Sequence, residues 1–208
     1  ESGMRPVYSV PYDPEATDRF LAVLEETTPP TEFREAIVAA LKHSFEAGEQ
    51  TMESHFLTLF CQWLLPLAIV PIVPRLGFTR KKAAALFRRE IEGDLVTNEL
   101  IEKATKEITA TGIDPPLHRS GNEINFFIET DGVRAKVTKE GNRFELRAPG
   151  GKGEALKSLS KGELLDWLER SPEIFSPNAA LRPLVQDAVL PSAAYIPGPT
   201  ELVYHAQI

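Results

Sequence analysis

Polar and aromatic side chains that could bind or transform a small molecule are concentrated near the end of this 208-residue chain. A carboxylate can move a proton or hold an amine, a guanidinium binds anions, and tyrosine, histidine and asparagine side chains exchange hydrogen bonds with a ligand. A glycine also lets backbone N–H groups approach a bound anion. The candidates for ligand binding are Asn178, Arg182, Tyr195, Gly198, Glu201, Tyr204 and His205.

A helix, a strand and a second helix are expected to position these residues. Asn178 can cap a helix that runs to about Asp187, because its side chain accepts N–H groups of the first turn. The apolar run from Val189 to Ile196 predicts a buried strand. In Pro197-Gly198-Pro199, the glycine would let the chain bend without a Cβ, and Pro199 fits the first helical position. Such a turn can present N–H groups to an anion, although many α/β turns bind nothing.

The same residues also have structural explanations, which the sequence leaves open. With Gly198 as N-cap, Glu201 falls at the third helical position, where a carboxylate closes a capping box. Arg182 could brace neighbouring backbone or reach a ligand. Tyr195 and Tyr204 lie where open α/β sheets bind ligands, but either could be a structural aromatic.

The spacing SPN-x-x-LRPL-x-QD-x-x-LP-x-AAY-x-x-GP-x-E-x-x-Y-x-AQ over residues 176–207 resembles the signature of the bacillithiol biosynthesis cysteine-adding enzyme family. Asp131-Gly132-x-Arg134 is a looser match. The resemblance implies the α/β class: part of a Rossmann-like core, similar to nucleotidyltransferases and class I synthetases. It also implies an inserted connecting module, helical and antiparallel-β, and a C-terminal coiled coil.

The resemblance further implies a ligase that adds cysteine to glucosaminyl-malate in bacillithiol biosynthesis. Forming an amide from a carboxylate and an amine requires an activated acyl group, which implies ATP or another nucleotide. The family's Gly-Gln-Gln and Glu-Asp-His-Asp segments are absent from this sequence. We therefore expect a fragment that is inactive alone, from a protein that dimerises through a coiled coil not contained here. The alternatives are a non-catalytic nucleotide-binding module and a protein-interaction module.

Periodicity predicts four segments. A strand at Leu67 to Val73 should be irregular or at an edge, because Pro71 deletes a ladder hydrogen bond. A long helix should follow from Arg80 to about Thr111, with a bend or break at Gly93. The segments are 1–65 (helical), 66–113 (that strand and helix), 114–175 (an antiparallel meander at 123–147 and a helix) and 176–208 (a returning Rossmann-like helix–strand–helix unit). Segment 1–65 should hold three helices: Asp13 caps the first, Gly48 ends the second and Thr51 caps the third. Ser160 and Glu163 predict a capping box at the start of the helix in segment 114–175.

Composition excludes several classes of function. The net charge of −7 and the isoelectric point near 5.2 argue against nucleic acid as the main partner. Cys61 is the single cysteine, so no intrachain disulfide can form and a cytoplasmic location is expected. The apolar stretch Leu64 to Val73 is too short to span a bilayer. The histidines lack metal-site spacing, and the glycine-rich loop 148–153 does not match a phosphate loop.

Overall fold

Capping side chains and amphipathic runs locate the helices of this chain, and period-two alternation locates most of its strands. The computed structural model describes residues 8, 10–46, 51–119, 121–150 and 154–208. The chain divides into two units, Glu1–Val73 and Pro74–Ile208. The helices are α1 (Pro14–Thr27), α2 (Arg34–Glu46), α3 (Met52–Leu64), α4 (Gly77–Glu92), α5 (Val96–Thr109), α6 (Lys161–Arg170), α7 (Arg182–Val189) and α8 (Pro199–His205). The strands are β1 (Glu123–Thr130), β2 (Val133–Glu140), β3 (Arg143–Arg147), β4 (Lys157–Ser160) and β5 (Phe175–Pro177).

The first unit holds the three predicted helices, α1 to α3. Asp13 caps α1, because its Oδ1 accepts the N–H groups of Glu15 at 3.0 Å and Ala16 at 3.2 Å. Thr51 caps α3 through the N–H of Ser54 at 3.2 Å. Both caps were predicted and are confirmed. Gly48, the predicted end of α2, lies outside the described residues.

A buried serine–histidine contact joins α2 to α3. Ser44 Oγ lies 2.7 Å from Leu41 O and 2.7 Å from His55 Nδ1. Since the hydroxyl has one proton and donates it to the Leu41 carbonyl, His55 Nδ1–H is the donor to Ser44. The His55 ring stacks on Phe45 with centroids 3.7 Å apart. Burial of the imidazole lowers the pKa of His55, and a hydrogen bond from His55 to the backbone of Ser44 opposes that effect.

The strand predicted at Leu67 to Val73 is wrong. A short 3₁₀ turn, Leu65–Leu67, leads instead into irregular backbone, and Ala68 takes a left-handed conformation with φ 59°. Val70 is 69% exposed, so this apolar run is not a core strand of its unit. A strand is stable only when its ladder is paired, and Pro71 removes a donor that such a ladder needs.

The predicted long helix is two helices, and the suspected break at Gly93 is confirmed. The Gly93 N–H closes α4 by donating to Arg89 O at 2.8 Å. Asp94 and Leu95 then adopt left-handed backbone with φ 54° and 69°, which an α-helix cannot continue. The chain therefore changes direction between α4 and α5.

The second unit is built on one antiparallel sheet with strand order β4-β3-β2-β1-β5. The predicted meander forms its centre as β1, β2 and β3. The Asp131-Gly132 turn suits the first hairpin, since both residues have positive φ, 52° and 72°.

Ser160 and Glu163 form the predicted capping box of α6: the Ser160 N–H donates to Glu163 Oε2 at 2.7 Å. Residues 151–153 of the glycine-rich loop lie outside the description.

An aromatic cluster fills the core between α4 and this sheet. Phe87, Phe126 and Phe175 are at most 1% exposed, and their ring centroids lie 5.4 to 5.9 Å apart. Such edge and tilted pairs add to the free energy of apolar burial. Helices α6 and α7 contribute further buried side chains to the same core, namely Leu164, Leu168, Val185 and Val189.

The strand predicted at Val189 to Ile196 is also wrong. Val189 is the last residue of α7, and residues 190–198 pair with no strand. Pro191 and Pro197 cannot donate to a ladder, and Ile196 is 95% exposed. The boundary predicted between residues 175 and 176 falls inside β5, which pairs with β1.

Candidate functional site

Local capping builds the turn into α8. The Gly198 N–H donates to Glu201 Oε2 at 3.1 Å, so the predicted capping role of Glu201 is confirmed. Gly198 itself has φ −68° and ψ 164°, and a Cβ there would meet only Glu201 Oε2 at 4.0 Å. The predicted need for a glycine at this bend is therefore wrong, since any residue adopts this conformation.

Glu201 gathers two aromatic hydroxyl groups around one carboxylate. Tyr204 donates to Oε1 at 3.0 Å, and Tyr195 donates to Oε2 at 3.3 Å. The Tyr195 ring stacks on the His205 ring with centroids 4.7 Å apart and an interplanar angle of 15°. The structure thus brings together five of the seven predicted residues, which we call the tyrosine–carboxylate cluster: Tyr195, Gly198, Glu201, Tyr204 and His205.

The charge of the cluster resides on Glu201. The Gly198 N–H, followed by the Tyr204 hydroxyl, lowers the pKa of Glu201 because both stabilise the ionised form. Burial and then the charge and hydrogen bond of Glu201 raise the pKa of Tyr195. Burial and Glu201 act in the same direction on the pKa of Tyr204. At neutral pH the cluster is an anion held by two protonated phenols, which suits binding of an amine.

One ring nitrogen of the cluster has an unfilled hydrogen-bonding capacity. His205 Nε2 is buried and has no hydrogen-bond partner among the described residues. A buried polar atom without a partner costs free energy, which a bound group could recover.

Arg182 acts electrostatically on the cluster from a different element. It is the exposed first residue of α7. Burial and Glu201 raise the pKa values of Tyr195 and Tyr204, and the positive charge of Arg182 opposes both rises. No described acidic side chain forms a salt bridge with Arg182. Its guanidinium is therefore available to an anion beside the cluster.

Asn178 belongs to a different network. It is 6% exposed, donates through Nδ2 to Asn125 Oδ1 at 3.1 Å, and accepts the Leu181 N–H at 3.1 Å. The prediction that Asn178 caps the helix is wrong, because α7 begins at Arg182 with Leu181 as its N-cap and has no side-chain cap. Asn178 instead stabilises the turn before α7, and both ends of its amide are engaged within the protein. We place Asn178 among the residues that hold α7 to the sheet.

Sequence reasoning did not select Arg134 as a site residue. It lies on β2, half-buried, and donates through Nε to Ser176 Oγ at 3.0 Å. The sequence offered one sign that Arg134 could be functional. It is a basic side chain in a strand, β2, and the other strand of that hairpin, β1, carries Phe127. Pairing of β5 with β1, which brings Ser176 beside Phe127, was not predictable from periodicity.

Two further properties bear on the chemistry of the described residues. Their histidine, cysteine, aspartate and glutamate side chains form no group of three or more that could hold a metal ion. Nor does any helix in the described ranges have the length and apolar character needed to cross a membrane.

Comparison with known proteins places this geometry in a family. Residues 2–208 match the family model described as Bacillithiol biosynthesis BshC, N-terminal Rossmann-like domain. The described structure is mixed α/β, and its five-stranded sheet contains antiparallel pairs only.

Curated relatives agree with that match. A protein of Heliobacterium modesticaldum is 30% identical over 166 residues, which are 79% of this chain and 29% of that protein. A protein of Salinibacter ruber is 30% identical over 184 residues, 88% of this chain and 32% of its own length. A protein of Chloroherpeton thalassium is 30% identical over 196 residues, 93% of this chain and 33% of its own length. All three are named as candidate cysteine ligases, BshC, and the chain spans about a third of their length.

Proposed function

Because the chain belongs to the bacillithiol biosynthesis BshC family, we propose that it is part of a ligase that adds cysteine to glucosaminyl-malate. The match over nearly the whole chain carries this proposal. Since the relatives are about three times as long, the complete enzyme contains further residues that supply the rest of the catalytic site. Its small-molecule partners are cysteine and glucosaminyl-malate, and it works in the cytoplasm.

The reaction joins the carboxylate of cysteine to the amine of glucosaminyl-malate. A carboxylate oxygen is a poor leaving group, so it must leave on an activating group while the amine loses a proton. We propose ATP or another nucleotide as the source of that group. A Rossmann-like domain is a common scaffold for nucleotide binding, which supports this choice.

Within this chain, we propose the tyrosine–carboxylate cluster and Arg182 as the ligand-facing edge. The ionised Glu201 can hold an ammonium group, the two phenols keep that carboxylate oriented, and the unpartnered His205 Nε2 offers one more polar contact. Opposite charges at Glu201 and Arg182 would bind a substrate that carries both an amine and a carboxylate. Glucosaminyl-malate and cysteine both meet that description.

Turnover by the longer protein and by the 208-residue chain tests the proposal. Amide product should appear with the longer protein only, and only when cysteine, glucosaminyl-malate and a nucleotide are all present. Product formed by the 208-residue chain alone would contradict the proposal that further residues supply the rest of the catalytic site. Nucleotide binding by the longer protein without any turnover would favour a non-catalytic nucleotide-binding module.

The proposed homodimer has a separate test. If the longer protein is a dimer and removal of its predicted coiled coil makes it monomeric, that proposal is supported.

A further inference from the structure

Arg134 extends from β2 across β1 and bonds to β5. Its Nε donates to Ser176 Oγ at 3.0 Å, its Nη2 donates to Pro177 O at 3.2 Å, and its guanidinium carbon lies 3.9 Å from the centre of the Phe127 ring. These contacts use one edge of the guanidinium and one of its faces. The remaining nitrogen, Nη1, has no hydrogen-bond acceptor among the described residues.

The chain then brings a second arginine close to the first. After Pro177, one turn closes with the Arg182 N–H donating to Asn178 O at 2.9 Å, which places Arg182 at the start of α7. Burial lowers the pKa of Arg134, and the charge of Arg182 is the next largest cause. Because Arg134 donates to Pro177 O and Arg182 begins α7 one turn after Pro177, the two arginines flank the same short segment, residues 177–182.

The described acidic residues do not neutralise this pair. Neither Arg134 nor Arg182 has a salt bridge to any of them. Glu129 faces Arg134 across the β1–β2 ladder, but its favourable effect on the pKa of Arg134 ranks below burial and below Arg182. Adjacent like charges in a partly buried place are unfavourable unless an anion lies between them.

We propose that Arg134 and Arg182 form a subsite for a carboxylate group of a small-molecule substrate. The planar fork of a guanidinium matches the two oxygens of a carboxylate, and a fixed fork loses little entropy on binding. Arg134 is fixed by Ser176, Pro177 and Phe127, whereas Arg182 is exposed and able to close on the ligand. The charge of Arg182 also opposes the rise in the pKa values of Tyr195 and Tyr204, so it contributes to the electrostatics of the tyrosine–carboxylate cluster.

The identity of the acid rests on the proposed function, but acid binding itself does not. The two substrates supply carboxylates from different sources, namely the malyl group and cysteine. Calorimetric titration of the longer protein with L-malate and, separately, with L-cysteine distinguishes these sources without any turnover. Inorganic phosphate and ATP are titrated in parallel, because a guanidinium pair can also bind phosphate.

Arg182→Gln is the principal variant, because Arg182 makes no side-chain hydrogen bond among the described residues and its loss should leave the fold intact. We expect malate or cysteine to bind about ten- to a hundredfold more weakly to Arg182→Gln and to Arg134→Lys, which keeps the charge but loses the fork. Arg170→Gln is the matched control: Arg170 is a solvent-exposed arginine on α6, paired with Asp166, and its replacement should leave the affinity unchanged.

Three results would overturn the subsite. The first is that Arg182→Gln binds both acids with unchanged affinity. The second is that the unaltered protein binds neither acid up to about 10 mM. The third is that Arg182→Gln loses phosphate or ATP binding but still binds the acids. Acid binding through both arginines in a protein without ligase turnover would instead support the subsite and contradict the proposed function.

Discussion

At the scale of single residues, Glu201 has two roles that its position alone cannot separate. Its carboxylate accepts the Gly198 N–H as a helix cap, and it also accepts the hydroxyl groups of Tyr195 and Tyr204. The first role requires only an acceptor oxygen. The second role uses the negative charge, although the pKa of Glu201 is lowered chiefly by the Gly198 N–H and only then by the Tyr204 hydroxyl.

Glu201→Gln separates the two roles. Glutamine retains an acceptor for the Gly198 N–H, and the phenols can reorient as acceptors, so the thermal unfolding midpoint should be nearly unchanged. If the charge holds the substrate amine, kcat/KM of the longer protein should fall about a hundredfold. Steady-state kinetics beside a thermal melt measure both quantities.

Glu163→Gln is the matched control. Glu163 accepts the Ser160 N–H at 2.7 Å at the start of α6, and its pKa is lowered chiefly by that same kind of backbone hydrogen bond. This variant should keep both stability and turnover. Near-normal turnover in Glu201→Gln would leave Glu201 as a helix cap alone.

At the scale of elements, a buried amide network joins α4, α5 and β1 to the turn before α7. Asn125 donates through Nδ2 to Glu90 Oε1 at 2.6 Å and to Asn98 Oδ1 at 2.8 Å, and it accepts from Asn178. The β1–β2 register shifts between Glu123 and Phe127, and Asn125 within that stretch is fully buried. A bulge re-aims side chains in this way. The network thus fixes the segment that leads to Arg182.

Asn178→Ala should destabilise the unit Pro74–Ile208 by about 2 to 3 kcal/mol. The substitution removes the acceptor for the Leu181 N–H and leaves Asn125 Oδ1 buried without its donor. Denaturant unfolding followed by circular dichroism measures the change. Asn122→Ala is the control, because Asn122 bonds Glu140 at an exposed site and its loss should cost under about 0.5 kcal/mol. Equal effects of the two substitutions would show that the buried network contributes no special stability.

At the scale of the whole molecule, the two units should respond differently to mild acid. Burial lowers the pKa of His55 in the unit Glu1–Val73, so the unfolded state takes up a proton at a higher pH than the folded state does. The stability that the neutral ring provides is present above about pH 6.5 and is lost as the pH falls toward the folded pKa. In the unit Pro74–Ile208, the lowered carboxyl pKa values of Glu163 and Glu201 act only near pH 4 and below.

The unit Glu1–Val73 should therefore lose stability as the pH falls below about 6.5. Trp63 reports on this unit, and its fluorescence can be followed alone in a Trp167→Phe background, since the chain has two tryptophans. His55→Gln should make the melting midpoint of that probe nearly independent of pH in this range. His43→Gln, at an exposed position of α2, should retain the dependence. A pH dependence that survives in His55→Gln would assign the effect to other groups.

The sequence by itself determined the features that depend on neighbouring residues. The caps at Asp13, Thr51, Ser160 and Gly198 were predictable, because each is satisfied by side chains and N–H groups within a few positions. The meander was predictable for the same kind of reason, since period-two alternation and the Asp131-Gly132 turn are both local signals. The residues of the tyrosine–carboxylate cluster could be grouped from the sequence because they share one turn and one short helix, and their role in binding stays a prediction.

Only the tertiary structure decided the features that depend on distant residues. The runs 67–73 and 189–196 have the apolar character of strands, but a strand exists only where another strand pairs with its backbone, and composition does not reveal the partner. Asn178 reads as a simple cap, yet Asn125 engages the other end of its amide. Arg134 on β2 reaches Ser176 and Pro177 only because β5 pairs with β1, and Arg182 begins the helix that follows β5. This arrangement follows from strand register and helix placement, which local sequence patterns do not encode.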